Sequence, residues 1–407
     1  VKKRILYLCG FWRFANAYDF VCLKGGNFLP KVIDLFAGAG GLSLGAFRAG
    51  FDVVSAVELD PHAIHSHKTN FPHTIHIQKD IMSLSGTKLL ELSKINNDQL
   101  LGVIGGPPCQ GFSSIGHGDV NDSRNQLFIK FFELINELQP VFFVAENVPG
   151  IMNDKYLKIR NNAFKNISNY TLLSPIQVKA SEYGAPTIRT RIFFIGYRND
   201  VRIRPITVED IENMKIPLFE RTTVRSALEG LPSNIHYSAK ASGEKKIEER
   251  YSSSNSGYSQ SNFFYQRVTS FRPHNIGDQQ YCDLYTNKHI VNGCLPTKHS
   301  INVKKRYRSL KYGQQDKISK SVKLNPDGFC PTLRAGTGPE KGSFQAVRPI
   351  HFEYARVITP REAARLQGFP DWYKLPETIW HSFRQLGNSV SPIVAERILS
   401  AIYQKLT

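Results

Sequence analysis

The feature that most constrains the fold is the alternation of short apolar strands with helices in the first part of the chain. Strands are predicted at 32–36, 53–57, 74–78, 101–105 and 141–145. Helical patterns follow the first and fourth strands, and Pro61 opens a helix that runs to about Asn70. Strands and helices alternating at this spacing predict a parallel, doubly wound α/β sheet, with binding sites at the carboxyl ends of its strands.

The composition and pattern of the sequence change after Asn199. A strand at 191–197 fits the far side of the sheet, whereas 200–350 is rich in Ser, Asn, Tyr and Lys and has no strand–helix rhythm. Order returns at 360–369 and at 391–404, where Ser391 and Pro392 make a good helix start. We therefore expect four parts: an N-terminal extension of unknown role at 1–30, an ordered domain at 31–199, a second, smaller irregular domain at 200–350, and a C-terminal segment at 351–407 that returns to the ordered domain.

The charge of the chain indicates a polyanionic partner. Its 407 residues carry a formal net charge of +18, although a generally basic proteome would also give such a value. The stretch from Lys288 to Lys323 contains ten Lys or Arg residues and one acidic residue, Asp316. Within it, the run KKRYRSLK at 304–311 interleaves Tyr307 with cations. Patches of this kind suit phosphate backbones.

Several classes of protein and site are disfavoured. No apolar run approaches the roughly 20 residues of a membrane helix, and no small-residue cleavage site follows the basic start of the chain. The six cysteines show no CxxC and no paired ligand spacing, so we expect no metal and a reduced, cytoplasmic setting.

A glycine turn, DLFAGAGGLSLG at 34–45, joins the first strand to its helix. Gly38, Gly40 and Gly41 would let a ligand approach the backbone, and the helix N-terminus offers free N–H groups. Glu58 ends the next strand, where a carboxylate would bind ribose hydroxyls, and Asp80 is a candidate adenine contact. The GxGG spacing differs from the dinucleotide pattern, so an adenosine cofactor without a pyrophosphate fits better.

A second group of reactive residues lies at the ends of other strands. GGPPCQGFS at 105–113 places Cys109 on a stiff loop after one strand, and AENVPG places Glu146 at the end of another. Arg189 and Arg191 alternate on a strand and so share a face. A lone cysteine is commonly a core residue, but a thiol, a carboxyl group and two arginines at one edge also suit nucleophilic catalysis.

These stretches, together with REAARLQGFP at 361–370 and GNSVSP at 387–392, resemble the C5-cytosine DNA methyltransferases of restriction–modification systems. They occur in family order from residue 33 to about 400. One departure is clear, since Thr187 follows Pro186 where the family usually has Gln before the arginine pair.

The resemblance implies a Rossmann-like, S-adenosylmethionine-dependent fold that methylates C5 of cytosine in double-stranded DNA, by base flipping and a covalent adduct between Cys109 and C6. It makes 31–199 the catalytic and cofactor-binding domain and 200–350 the target-recognition domain. The implied catalytic residues are Cys109, Glu146, Arg189 and Arg191. The implied cofactor-binding residues are Phe36, Gly38, Ala39, Gly40, Gly41, Glu58, Asp80, Ile81, Pro108, Asn388, Ser389 and Val390. The implied DNA-binding residues are Gln110, Ser113, Lys304, Lys305, Arg306 and Arg308.

The resemblance also implies a monomer associated with the nucleoid of a prokaryotic cytoplasm, either functionally paired with a restriction endonuclease or solitary. Three alternatives stay open. Relatives of the family methylate transfer RNA, although the large basic domain and the Pro-Cys-Gln tripeptide favour DNA. A nicotinamide dehydrogenase would use the glycine turn but leave Cys109, Glu146 and the arginine pair unexplained, and the intact Cys109 and Glu146 argue against an inactive DNA-binding homologue.

Overall fold

The computed structural model describes residues 29–108, 125–232, 235, 243–247, 263–336 and 347–406. The strands are β1 (Lys31–Leu35), β2 (Asp52–Val57), β3 (Ile75–Ile77), β4 (Leu100–Gly105), β5 (Phe142–Asn147), β6 (Tyr170–Leu172), β7 (Ile176–Lys179), β8 (Thr190–Arg198), β9 (Lys245–Lys246) and β10 (Ile290–Val291). The helices are α1 (Gly41–Arg48), α2 (Pro61–Asn70), α3 (Gly86–Ser93), α4 (Asn125–Leu138), α5 (Leu157–Phe164), α6 (Val208–Glu212), α7 (Val224–Leu228), α8 (Phe263–Thr269), α9 (Gln279–Lys288), α10 (Ile301–Ser309), α11 (Pro360–Gln367), α12 (Ile379–Asn388) and α13 (Pro392–Leu406).

The central sheet has the strand order β3-β2-β1-β4-β5-β8-β6, and β7 also pairs with β8. Pairing is parallel from β3 to β5, which confirms the predicted doubly wound α/β fold. The expectation of a parallel sheet was wrong on the far side, because β8 runs antiparallel to β5, β6 and β7. Residues 180–189, which join β7 to β8, are fewer than the dozen or more that a parallel crossover needs.

The two faces of the sheet carry separate apolar cores. Along β5, Phe142 and Val144 belong to one core with residues of α1 and α13, whereas Phe143 and Ala145 belong to the other, with residues of α4 and α5. Successive side chains of a strand point to opposite faces. A strand that is apolar at every position, as β5 is at 142–145, is therefore covered on both sides.

The first of these cores extends into the part of the chain after residue 199. Ile206, Val224, Phe264 and Leu333 are buried in the same cluster as the residues of α1 and α13. The described elements of this part are short, from α6 to α10, and the two-residue strands β9 and β10 pair antiparallel. The division of the chain at residue 199 stays a prediction.

The C-terminal segment packs on the glycine turn and on α1. Helix α13 begins at Pro392 and buries Ile393, Ile398 and Ile402 completely. Gly45 of α1 lies so close to α13 that a Cβ on it would stand 2.3 Å from the Cβ of Ala395. Among the described helices, none is both long and apolar enough to span a membrane.

Candidate active site

The turn between β1 and α1 has an unusual backbone. Gly38 and Gly40 have φ values of 56° and 81°, and Phe36 has a φ of 61°. A phenylalanine in the left-handed region is strained, and such strain concentrates at functional sites. The space next to Gly38 is open, since a Cβ there would meet only the Phe36 carbonyl oxygen, at 4.0 Å. The turn therefore leaves the space beside Gly38 open.

Gly40 and Gly41 meet protein atoms instead of open space. A Cβ on Gly40 would stand 2.3 Å from the ring of Phe71, and one on Gly41 would stand 2.1 Å from the Val390 carbonyl oxygen. The sequence expectation was that all three glycines admit a ligand. In the structure, packing against α2 and against the segment before α13 requires the absence of a side chain at these two positions.

Glu58 follows β2 at the same edge of the sheet. Its Oε2 accepts a hydrogen bond from the Gly38 amide at 2.9 Å, and its Oε1 accepts from the amides of Leu59 and Asp60, each at 2.8 Å. Burial raises the pKa of the Glu58 carboxyl, and the three amide hydrogen bonds oppose that rise. The carboxylate is thus fixed beside the open backbone of the turn.

The next two strands bring their predicted cofactor residues to this edge. Asp80 follows β3, is exposed, and accepts a hydrogen bond from the Met82 amide at 3.0 Å, while Ile81 is buried. Pro108 follows β4 after a buried Pro107, whose carbonyl oxygen accepts from Asn147 Nδ2 at 3.3 Å. In a parallel sheet the carboxyl ends of the strands share one edge, so these residues and Glu58 line it together.

Glu146 ends β5 and pairs with Arg191 of β8. Arg191 Nε lies 2.7 Å from Glu146 Oε1, and only 8% of Glu146 is exposed. A Cβ on Gly106 would stand 3.1 Å from Glu146 Oε2, so the carboxyl group lies against the backbone that leads to Pro108. The predicted catalytic carboxyl group is therefore next to the loop that carries the predicted nucleophile.

Arg189 has a different set of partners from Arg191. It is buried, and its guanidinium group donates to the carbonyl oxygens of Gly387 at 2.9 Å, Leu333 at 3.4 Å and Asn388 at 3.4 Å. Arg189 thus fixes the backbone at the end of α12 and at Leu333. Asn388 itself is exposed, whereas Ser389 and Val390 are buried against Gly41.

The predicted DNA-binding run forms most of α10. Lys304, Lys305 and Arg308 are exposed and Tyr307 is buried. Arg306 is tied within the protein, because its Nε lies 2.5 Å from Asp316 Oδ1 and its Nη2 donates to Oδ2 at 3.2 Å. Cys109, Gln110 and Ser113 lie outside the described residues, as does most of the segment after Cys109.

Several buried polar residues that the sequence analysis did not single out form hydrogen-bond networks in the interior. Arg361 donates to Asn292, Tyr281, Pro370 and Tyr373, and Arg365 pairs with Asp371, all within the interior. Both arginines belong to the REAARLQGFP stretch, and their spacing of four residues on a helix was the available signal. Asp34, Ser43, His67 and His76 form a second buried network, below the glycine turn.

A strained glycine turn beside a fixed carboxylate, and a glutamate–arginine pair at the same sheet edge, are typical of an enzyme built on a doubly wound α/β sheet. The chain belongs to the C-5 cytosine-specific DNA methylase family, whose profile matches residues 30–404. It is a DNA cytosine-5 methyltransferase of restriction–modification type, which confirms the resemblance seen in the sequence motifs.

Named relatives agree with this assignment. The chain is 36% identical over 386 residues to the type II methyltransferase M.XorII of Xanthomonas oryzae pv. oryzae, covering 93% of this chain and 85% of that protein. It is 32% identical over 396 residues to the type II methyltransferase M.DdeI of Desulfomicrobium norvegicum, covering 91% and 88%.

Solved structures share the fold. A crystal structure assigned as a DNA modification methyltransferase encoded within an E. coli prophage is 49% identical, with a TM-score of 0.80 over 92% of this chain and 99% of that chain. The Dnmt2 methyltransferase of S. pombe, at 18% identity and a TM-score of 0.57 over 93% and 99%, shows the same fold.

Proposed function

We propose that this enzyme transfers a methyl group from S-adenosylmethionine to C5 of a cytosine within a specific double-stranded DNA sequence, through a covalent bond between Cys109 and C6. The observation that carries the proposal is the Glu146–Arg191 pair, which lies against Gly106 at the start of the loop to Cys109. A carboxyl group and a cation beside a thiol loop suit attack on an electron-poor ring.

The glycine turn fits S-adenosylmethionine, which supplies an electrophilic methyl group when bound. Gly38 offers open backbone, and Glu58 offers a fixed carboxylate for ribose hydroxyls. Asp80 and Ile81 follow the next strand at the same edge and would hold the adenine, while Phe36, Ala39 and Pro108 would line the site. Asn388 would reach the site from the end of α12, where Arg189 fixes the backbone, with Ser389 and Val390 behind it.

Cytosine C5 is a weak nucleophile, so the ring must first be activated. The Cys109 thiolate forms a bond to C6, and the electron pair of the C5–C6 double bond moves toward N3. Glu146 would share or give a proton at N3 and so neutralise the charge on the ring. C5 would then bond to the methyl carbon as its bond to the sulfonium sulfur breaks, which leaves a neutral thioether. Loss of the C5 proton to a base would re-form the C5–C6 double bond as the C6–S bond breaks to release the thiolate, and N3 would return its proton to Glu146.

Arg191 and Arg189 would have different roles, Arg191 at Glu146 and Arg189 at the backbone around the site. Arg191 orients Glu146 through the 2.7 Å ion pair and is half-buried, so it can also face the base oxygen. Arg189 would act at a distance by ordering the backbone at 387–388 and 333. Because Arg has five donors in a fixed fork, one side chain can hold several carbonyl oxygens.

The target base would leave the duplex to reach Cys109. Chemistry on a base inside a stack requires flipping it out, at a cost of roughly a few kcal/mol. Gln110 and Ser113 follow the nucleophile and would contact the DNA there, while Lys304, Lys305 and Arg308 on α10 would contact phosphates. We further propose that the methylation protects DNA from a companion restriction endonuclease.

The test supplies labelled S-adenosylmethionine with unmethylated DNA, with transfer RNA, and without nucleic acid. We expect labelling of DNA alone, and at least a hundredfold loss in Cys109→Ser because a hydroxyl is a far weaker nucleophile at neutral pH. Cys282→Ser, at a buried cysteine beside the Trp372 carbonyl, is the matched control and should keep full activity.

A duplex with 5-fluorocytosine at the target separates the covalent step from simple binding. Fluorine cannot leave as the C5 proton does, so the wild type should remain bonded to this DNA under denaturing conditions and Cys109→Ser should not. Labelling of transfer RNA alone would overturn the DNA assignment. A Cys109→Ser enzyme with a tenth of the wild-type turnover would overturn the covalent mechanism.

A further inference from the structure

Four polar side chains form a continuous hydrogen-bonded chain below the glycine turn. Ser43 Oγ lies 2.6 Å from Asp34 Oδ2 and 2.9 Å from His67 Nε2, and His67 Nδ1 lies 2.9 Å from His76 Nε2. Asp34, Ser43 and His67 are completely buried, whereas His76 is half-buried. The chain therefore runs from the fully enclosed carboxyl group at the end of β1 to a side chain that water can reach.

The hydrogens of this chain have two consistent arrangements. With Asp34 ionised, His76 Nε2–H donates to His67, His67 Nε2–H donates to Ser43, and the Ser43 hydroxyl donates to Asp34. With Asp34 protonated, its hydroxyl donates to Ser43, the Ser43 hydroxyl donates to His67 Nε2, and His67 Nδ1–H donates to His76 Nε2. Neutral His67 and His76 then each carry their ring hydrogen on Nδ1. The two arrangements differ by one proton and by the tautomers of both histidines.

The same residues support the turn that would hold the cofactor. Asp34 is four residues before Gly38, and Ser43 lies in the first turn of α1. The His67 ring contacts the Phe71 ring at a tilt of 37° with centroids 4.4 Å apart, and a Cβ on Gly40 would stand 3.0 Å from His67 Cδ2. A change of hydrogen-bond direction in the chain thus occurs directly against the turn.

We propose that Asp34, Ser43, His67 and His76 form a proton relay, and that binding of S-adenosylmethionine at the turn expels one proton through it. The proposal rests on the proposed use of that cofactor. The Asp34 proton passes to Ser43 Oγ, the Ser43 hydroxyl proton passes to His67 Nε2, and the His67 Nδ1 proton passes to His76 Nε2. The His76 Nδ1 proton leaves to water, and Asp34 is left as a carboxylate that balances the positive charge of the sulfonium group.

The electrostatics of the chain agree with this relay. Burial raises the pKa of Asp34 to about 7, the Ser43 hydroxyl and amide oppose the rise, and the nearby Glu58 carboxylate adds to it. Burial keeps the pKa of His67 well below its usual value, helped by His76. Burial and Lys68 lower the pKa of His76 to about 4 against the opposing effect of a hydrogen bond with the Thr74 backbone, so both rings are neutral around pH 7.

The direction of the pH effect follows from these groups. Because the ligand favours ionised Asp34, its affinity should rise with pH until Asp34 is ionised in the free protein. For a free pKa of about 7 the dissociation constant falls about tenfold from pH 6 to pH 8, and about half a proton is released at pH 7. The α-amino group of the ligand titrates at about 8, so variants must separate the two effects.

Calorimetry of S-adenosylmethionine binding, in buffers of different ionisation enthalpy, measures the released proton. Asp34→Asn is an isosteric neutral variant and should remove the release and flatten the pH profile between 6 and 7.5. Asp52→Asn is the matched control. Burial also raises the pKa of the Asp52 carboxyl, but Asp52 begins β2, at the end of the strand opposite to Glu58. The Asp52→Asn variant should therefore behave as wild type. Ser43→Ala removes a hydrogen bond that favours ionised Asp34, so it should move the profile to higher pH.

Nitrogen NMR of the free protein tests the relay itself. The His67 and His76 tautomers should both reverse around pH 7 in the wild type and stay fixed in Asp34→Asn. A wild-type protein that does not bind S-adenosylmethionine would contradict the proposed function. Normal binding with equal proton release in Asp34→Asn, or tautomers that ignore pH, would contradict the relay alone.

Discussion

At the scale of single residues, side chains that look alike in the sequence have different surroundings. Arg189 and Arg191 are two positions apart, yet the first holds backbone carbonyl oxygens and the second pairs with Glu146. Thr187, where the family usually has Gln, donates through Oγ1 to the Cys330 carbonyl oxygen at 3.0 Å. This short side chain thereby ties the connection between β7 and β8 to the backbone at Cys330.

Glu146→Gln tests the carboxyl group that pairs with Arg191. The amide keeps the shape of the side chain but cannot share a proton with cytosine N3, so we expect methyl transfer to fall at least a hundredfold. Calorimetric affinity for S-adenosylmethionine should stay within twofold. Glu133→Gln, at a half-exposed position of α4, is the control for activity. Turnover of Glu146→Gln close to wild type would remove the proton-sharing role.

At the scale of elements, the joint between α1 and α13 depends on absent side chains. Gly41 and Gly45 have no room for a Cβ, because the Val390 carbonyl oxygen and Ala395 occupy the space. Glycine inside a helix normally costs about 1 kcal/mol relative to alanine. The two glycines therefore lower the intrinsic stability of α1 but allow its close contact with the C-terminal segment.

Gly45→Ala should reverse the usual effect of such a substitution. Helix propensity alone would raise the free energy of unfolding by about 1 kcal/mol, but overpacking against Ala395 costs about 1–3 kcal/mol and shifts the backbone. We expect a net loss of stability in denaturant titration. Thr87→Ala, at an exposed position of α3, should be neutral or slightly stabilising. A stabilised Gly45→Ala would mean that the two helices can separate without loss.

At the scale of the whole molecule, the net charge of +18 is distributed unevenly. Helix α10 presents Lys304, Lys305 and Arg308 to solvent, whereas Arg306 is neutralised by Asp316. A cation that is paired within the protein releases few counterions on binding DNA, so the three exposed residues should account for the phosphate contacts of this helix.

Replacing Lys304, Lys305 and Arg308 together with alanine should weaken binding to target and non-target duplexes about equally. It should also reduce the slope of log K against log salt by about one unit for each phosphate that the protein no longer neutralises. Lys158→Ala with Lys165→Ala, on the exposed surface around α5, is the control. An unchanged slope and affinity in the triple variant would show that α10 does not meet DNA.

The sequence by itself determined the elements with a local signature. The alternation of apolar runs and helices predicted β1 to β5 and α2 to within about two residues, and it predicted that helices follow β1 and β4, because side-chain periodicity and helix starts such as Pro61 are local properties. The motifs around Gly38, Glu58, Glu146 and the arginine pair predicted the family, which the profile over residues 30–404 confirms.

Only the tertiary structure decided which of these residues meet. The antiparallel direction of β8, the packing against Gly40 and Gly41, and the Arg306–Asp316 pair depend on partners distant in sequence or on the path of a loop. The buried chain from Asp34 to His76 is drawn from β1, α1, α2 and β3, so no single stretch of sequence carries its pattern. Hydrogen bonds and close contacts between such segments arise from the folded arrangement, which local periodicity does not specify.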